Sequence, residues 1–276
     1  MLLPFDTHVH TYYSPCGRKM DQDRQPLATP QQYLDRAEAL DLQAIIFTDH
    51  FYEWPAAPAA PQFYKGSDLA IIRNLQLELQ RLETPSECQI YVGCETETPS
   101  VDQVGISPQT ATCLDFVLVP TTHYHLSGIP QPKTFKPEDV ADHMLTMLES
   151  VVRREWVDAV AHPFAEKESL IGNLQRIYEA MDKGRLQDIL GLAAENGVAL
   201  EINGSSVTSS DLPHYGNMYK EIVKRAKALG VRFTFGSDAH DHRDLGMSPE
   251  AEAWIRGAGL VAADFLTPAE LRAKRR

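Results

Sequence analysis

Two histidines, His8 and His10, stand two residues apart at the end of an apolar run. Because an extended strand repeats its side-chain direction every second residue, both imidazoles face one side, and Asp6 shares that side. H-x-H on a strand is a metal-binding arrangement, and the later apolar runs end in similar fashion. Thr48-Asp49-His50 follows the second, Gly93-Cys94-Glu95 the third, Thr121-Thr122-His123 the fourth, Ala161-His162-Pro163 the fifth, and Ser237-Asp238-Ala239-His240 the last. Of the chain's ten histidines, seven fall directly at such positions, counting His125 beside His123, where chance would scatter them among helices and loops.

Imidazole and carboxylate donors in this mixture suit two or three hard or borderline divalent cations better than a thiolate-rich structural zinc site. Glu95 is the natural bridge between two cations. A bridging hydroxide made acidic by them would act as nucleophile at neutral pH without any serine or cysteine nucleophile. Asp49 is the candidate to orient His50 or to move a proton to the leaving group, with capping of the turn as the structural alternative. An anionic substrate needs local positive charge, for which Arg18, Lys19 and Arg243 lie beside the motifs, with His125 as a further contact. His143, mid-helix, and His214 and His242 are left outside the metal set, while Glu201 and Asn203 end the sixth strand as residues with structural hydrogen bonds.

The elements that must position these groups are legible as alternating runs. Seven candidate strands span Leu2 to Val9, Gln43 to Thr48, Gln89 to Glu95, Phe116 to Pro120, Ala159 to Ala161, Val198 to Ile202 and Arg232 to Phe235. Helical spacing separates them, beginning at Thr29-Pro30 and continuing over Ser67 to Leu82, Pro137 to Arg154, Leu174 to Asn196 and Tyr219 to Leu229, with Gly197 and Gly230 as C-terminal caps. Strand then helix, repeated, is the pattern of a parallel α/β sheet or barrel. The proline-rich stretch 52–66 reads as a long loop placed to form a substrate wall or lid.

The composition agrees. With 43% hydrophobic and 23% charged residues, the 276-residue chain is an ordinary globular one with no linker to divide it. Its net charge of −12 argues against nucleic acid or an anionic membrane as partner, so a small phosphorylated substrate is expected instead. The basic end Lys274-Arg275-Arg276 reads as a solvated terminus. Four cysteines without a C-x-x-C pair, no apolar leader before Asp6 and no span-length run lead to the expectation of a cytoplasmic protein.

The ordered motifs H-x-H, T-D-H, G-x-E, T-H, A-H-P and S-D-A-H resemble those of the PHP (polymerase and histidinol phosphatase) family, over residues 5 to 246. The resemblance implies a single domain, 1–276, folded as a distorted (β/α)7 TIM-like barrel. It also implies two or three bound Mn, Fe, Zn or Mg ions and hydrolysis of phosphate esters. Carried over, it places His8, His10, Glu95 and Asp238 on one ion, Glu95, His123 and His162 on a second, and His50 with His240 on a third. The family's usual extra ligand to the third ion falls where this chain has Ser14-Pro15-Cys16-Gly17. Cys16 is then either a thiolate ligand or, the preferred reading here, a small buried residue that leaves the third position weak. Histidinol-phosphate phosphatase is the branch expected first, followed by a phosphodiesterase or nucleotide phosphatase. An amidohydrolase is the rival class, although it bridges its metals with a modified lysine where this chain has Glu95, and a noncatalytic metal-binding module is the remaining alternative.

Overall fold

The computed structural model describes residues 2–54, 64–84 and 87–274. Every expected run forms a strand: β1 Phe5–Val9, β2 Ala44–Phe47, β3 Gln89–Val92, β4 Cys94–Glu95, β5 Val117–Pro120, β6 Ala159–Ala161, β7 Ala199–Asn203 and β8 Phe233–Gly236. All pair in parallel, in the orders β1-β2-β3 and β4-β5-β6-β7-β8. Most are buried along their whole length, because a parallel sheet is covered by its crossover helices.

The expected run Gln89 to Glu95 is divided at Gly93. The Gly93 N–H donates to Phe47 of β2 at 2.8 Å, and the next N–H, of Cys94, donates to Phe116 before β5 at 3.0 Å. A Cβ on Gly93 would lie 2.5 Å from the Phe116 carbonyl oxygen, so only glycine lets the chain pass from one neighbour to the other. The outer strands of the two sheets also meet: Asp238 N–H donates to the His8 carbonyl at 3.0 Å and His10 N–H to the Ala239 carbonyl at 2.9 Å.

Helix α1 (Pro30–Ala39) starts as its sequence requires, with Thr29 and Gln32 forming a reciprocal capping box and Tyr33, Leu34 and Ala37 turned inward. Helices α2 (Leu69–Leu79) and α3 (Pro137–Val152) also lie where the spacing puts them. The single helix expected over 174–196 is instead two, α4 (Leu174–Ala180) and α5 (Lys183–Glu195). Met181 is extended, and the Asp182 carboxylate caps Gly184 and Arg185, so a local cap outcompetes continued helical periodicity. Helix α6 (Tyr215–Ala228) begins four residues before the expected Tyr219, anchored by the buried Tyr215 hydroxyl on the Pro163 carbonyl at 2.9 Å. Gly197 and Gly230 take φ of +64° and +84° after their helices, as C-caps do. Among the described residues no helix is long and apolar enough to cross a membrane.

Candidate metal centre

The parallel strands all deliver their C-terminal ends to one side, so the residues that follow them converge. His8 and His10 bring their Nε2 atoms to 2.9 Å of each other. On His8 the other ring nitrogen is taken, since Nδ1 donates to Glu201 Oε1 at 2.7 Å. Its Nε2 lone pair is therefore the one turned inward, as a metal ligand held by a carboxylate requires. The same carboxylate accepts the His162 backbone N–H at 2.6 Å, so Glu201 organises two strand ends at once. This contact depends on Gly236, where a Cβ would lie 2.3 Å from both Glu201 Oε1 and His8 Cβ.

Glu95 occupies the middle. Its Oε1 lies 3.2 Å from His162 Nε2, and its Oε2 lies 3.1 Å from His50 Nδ1, 3.4 Å from His10 Nε2 and 3.6 Å from His8 Nε2. Asp238 Oδ1 sits 3.5 Å from the Nε2 of both His8 and His10. Donor atoms fall within 4.8 Å of one another in three groups: His8, His10 and Glu95; Glu95, His123 and His162; and His10, Cys16 and His240. Imidazole nitrogens and carboxylate oxygens crowded at these spacings fit divalent cations. Two residues of the cradle have left-handed backbone, His162 at φ +26° and Asp238 at φ +60°, a strain concentrated where side chains must be aimed.

The electrostatics point the same way. Burial opposes charge on His8, His10 and His123, yet surrounding carboxylates overcome it. Glu201, Asp238 and Glu95 raise the pKa of His8 well above the usual value. Asp238 and Glu95 raise that of His10 to about 9, and Glu97 raises that of His123 to about 9. Burial works against the charge of Glu95 and Asp238 too, but the histidines hold both pKa values down, His8 contributing most. Desolvation and the neighbouring His10 push the pKa of the half-buried His240 down to about 4, and burial also lowers that of His50. Buried carboxylates thus attract positive charge to the centre, which protons on the imidazoles supply and a cation would supply better.

His123 and His125 part company. The first faces Glu95 and His162, its Nδ1 donating to Glu97 Oε2 at 2.8 Å. The second pairs through Nδ1 with Glu166 at 2.9 Å and lines a pocket of about 250 Å3 that also touches His123, His162, Asp238, Lys167 and Ser205. Cys16 is half-buried, with its Sγ grouped with donor atoms of His10 and His240. Burial, then Glu95, Asp49 and Asp238, raise its thiol pKa.

The contacts of Asp49 accord with the orienting and turn-capping readings. Its Oδ1 accepts from the Thr11 and Ser14 N–H groups and the Ser14 hydroxyl, its Oδ2 from the Thr11 hydroxyl at 2.6 Å. Ser14 Oγ in turn accepts the His50 N–H at 2.8 Å. Asp49 thus ties the loop after β1 to the His50 backbone. Among the basic candidates, Arg18 is exposed and turned to the Tyr12 and Tyr13 carbonyls, Lys19 is exposed, and Arg243 clasps Asp241. Lys167, Glu97 and Glu166 were not anticipated. Glu97 lies two residues beyond Glu95, the strand spacing that would have flagged it.

Of the loop 52–66, residues 55–63 lie outside the described residues. At its far end the buried Tyr64 packs edge-on against His50, ring centroids 5.1 Å apart, and so walls one side of the centre.

The fold and the site define a parallel α/β protein with a metal-binding cradle at its strand ends, and known proteins resemble it along nearly its whole length. A probable phosphatase of Vibrio atlanticus is 29% identical over 276 residues, 97% of this chain and 90% of its own length. A probable phosphatase of Thermoanaerobacter sp. is 28% identical over 261 residues, 95% and 89% of the two chains. Among solved structures, a histidinol phosphate phosphatase from Lactococcus lactis, complexed with zinc, L-histidinol and phosphate, gives a TM-score of 0.58 at 19% identity, covering 93% of this chain and 94% of its own. A chain of an archaeal ribonuclease P with mature tRNA gives 0.56 at 12% identity, covering 98% and 90%. At those identities the structural likeness concerns the fold alone. No family model matches the chain.

Proposed function

We propose that this chain is a metal-dependent phosphoric ester hydrolase that removes phosphate from a small monoester. The observation that carries the reading is Glu95, whose two carboxylate oxygens face different donor groups, His8 with His10 on one side and His123 with His162 on the other. Its whole-length similarity to probable phosphatases supports the reaction class.

We assign His8, His10, Glu95 and Asp238 to one cation, Glu95, His123 and His162 to a second, and His240 with His50 and Cys16 to a third; the three donor groups support His8, His10 and Glu95, then Glu95, His123 and His162, then Cys16 and His240, while Asp238 and His50 are placed by the resemblance. Bound divalent cations supply positive charge to the phosphate oxygens and make water acidic enough to attack phosphorus at neutral pH. The water oxygen ends on phosphorus and its hydrogen on the departing alcohol. Glu201 and Glu97 hold His8 and His123 in the ligating tautomer, and Tyr64 keeps solvent from the His50 side. The pocket beside His125, Lys167 and Ser205 receives the alcohol portion, and its volume of about 250 Å3 suits a small one.

We read the strands, β3 and β4 counted as one run, as a distorted (β/α)7 barrel of the PHP type. Histidinol phosphate is accordingly the first substrate to try, with other small phosphate monoesters after it. An amidohydrolase is the weaker reading, since the bridging position holds the Glu95 carboxylate rather than a lysine.

The test is metal analysis of the purified protein, then a screen of phosphate mono- and diesters with added Mn, Zn or Fe. Wild type should hydrolyse at least one monoester, while His10→Ala and Glu95→Ala should lose metal and activity together. Protein that retains no metal and, after reconstitution, cleaves no phosphate ester would overturn the proposal.

A further inference from the structure

Two loop segments wall the pocket beside His123 and His162. Glu166 and Lys167 line it from the segment after β6, and Ser209, Asp211 and Leu212 from the segment between β7 and α6. The first wall is strained. Phe164, 1% exposed, has a left-handed backbone at φ +64°, two residues after the left-handed His162, and a bulky residue keeps that conformation only where its surroundings enforce it. Successive bonds do so: the Pro163 carbonyl accepts the Tyr215 hydroxyl at 2.9 Å, the Ala165 carbonyl accepts the Thr122 hydroxyl at 2.9 Å, and the Glu166 carboxylate accepts the His125 N–H at 2.9 Å.

The second wall is held differently. Among the described residues, the hydrogen bonds of 205–213 stay within 203–215, so this wall is bonded to the first only at its end. There Glu168 Oε1 accepts the His214 N–H at 2.9 Å and Oε2 accepts from His214 Nδ1 at 2.8 Å, beside the Tyr215 anchor. Neither Glu168 nor His214 lines the pocket, yet each adjoins residues that do, Lys167 on one side and Asp211 with Leu212 on the other. We propose that the Glu168–His214 pair is a latch that sets the spacing of the two walls and thereby determines which alcohol portion the pocket admits. The inference rests on the phosphatase reading, and it makes both residues positioning residues that act through the walls they join.

Steady-state kinetics on metal-loaded protein test the latch, with histidinol phosphate, p-nitrophenyl phosphate and glycerol 2-phosphate as substrates and inorganic phosphate, which has no alcohol portion, as inhibitor. Glu168→Ala removes both bonds and should raise KM about fivefold for those monoesters that wild type cleaves, the most that a half-exposed ion pair carries. Its kcat and its Ki for inorganic phosphate should change less than about twofold, since the reacting phosphate meets the metals rather than the walls. His214→Ala, which keeps the backbone bond, should raise KM by a smaller factor. His214→Asn places an amide N–H where Nδ1 stood and should return KM to within about twofold of wild type. Circular dichroism and metal content control for folding. Unchanged KM in both alanine variants, no rescue by His214→Asn, or KM, Ki and metal content moving together overturns the latch in an active enzyme. Wild type that cleaves no phosphate ester overturns the phosphatase reading and the latch with it.

Discussion

His8 Nδ1 donates to Glu201 Oε1 across 2.7 Å, and this one contact settles which nitrogen of His8 is left to face the centre. Both residues are fully buried, so no water can replace either partner. Replacing Glu201 with Gln keeps an acceptor but removes the charge that makes His8 a strong donor to a cation. Glu201→Gln should bind metal about 10- to 100-fold more weakly while retaining its secondary structure. Metal titration followed by calorimetry, with circular dichroism as the control, checks this, and wild-type affinity would show that Glu201 does not act through His8.

The histidines set a pH dependence whose sign can be worked out. His10 and His123 have pKa values raised from 6.5 to about 9 in the folded, metal-free chain. Their contribution to stability is therefore fully present below about pH 6.5 and is lost as pH rises through about 9. Glu95 and Asp238 have lowered pKa values, so their contribution is present above the ordinary carboxylate range and lost on acidification. Metal-free protein should accordingly be most stable in mildly acidic to neutral solution. A cation must displace the imidazole protons, so metal affinity should rise between about pH 6.5 and 9 with release of protons. Thermal melts of chelated protein across pH, and metal titration in buffers of different ionisation enthalpy, measure the two effects. Affinity independent of pH in that interval would contradict the assignment.

Cys16 tests for a third ion. Its grouping with His10 and His240 predicts that Cys16→Ala loses about one metal ion per chain relative to wild type. The cobalt-substituted protein should show a thiolate-to-cobalt charge-transfer band that the variant lacks. Unchanged stoichiometry and no such band would return Cys16 to a packing role.

Asp49 separates positioning from proton transfer. Asp49→Asn leaves one acceptor oxygen where two now serve four donors, so it should destabilise the protein by about 1–3 kcal/mol and lower turnover by displacing Ser14 and His50. The shape of the pH–rate profile should not change, because no titrating catalyst has been removed. Loss of one limb of that profile, with stability intact, would restore Asp49 as a proton donor.

Much of this molecule follows from local sequence alone. Strand periodicity put His8 and His10 on one face, and the strand–helix alternation forecast the parallel sheets, because backbone geometry and hydrophobic burial act over a few residues. The same local reasoning failed at 174–196, where the capping strength of Asp182 broke a helix that periodicity alone extended. Nor could it foresee that Arg18 turns to the Tyr12 and Tyr13 carbonyls or that Arg243 holds Asp241, since adjacency to a motif says nothing about where a side chain points.

Only the tertiary structure decided the partners of the ligating groups. Glu201 meets His8 across 193 residues, Glu97 meets His123 across 26 and Glu166 meets His125 across 41. The tautomers, the convergence on Glu95 and the place of Cys16 are consequences of those meetings. Donor types are written in the chain because chemistry belongs to residues. Which donors share a cation depends on distances a few ångströms long, which exist only once the strand ends are brought side by side.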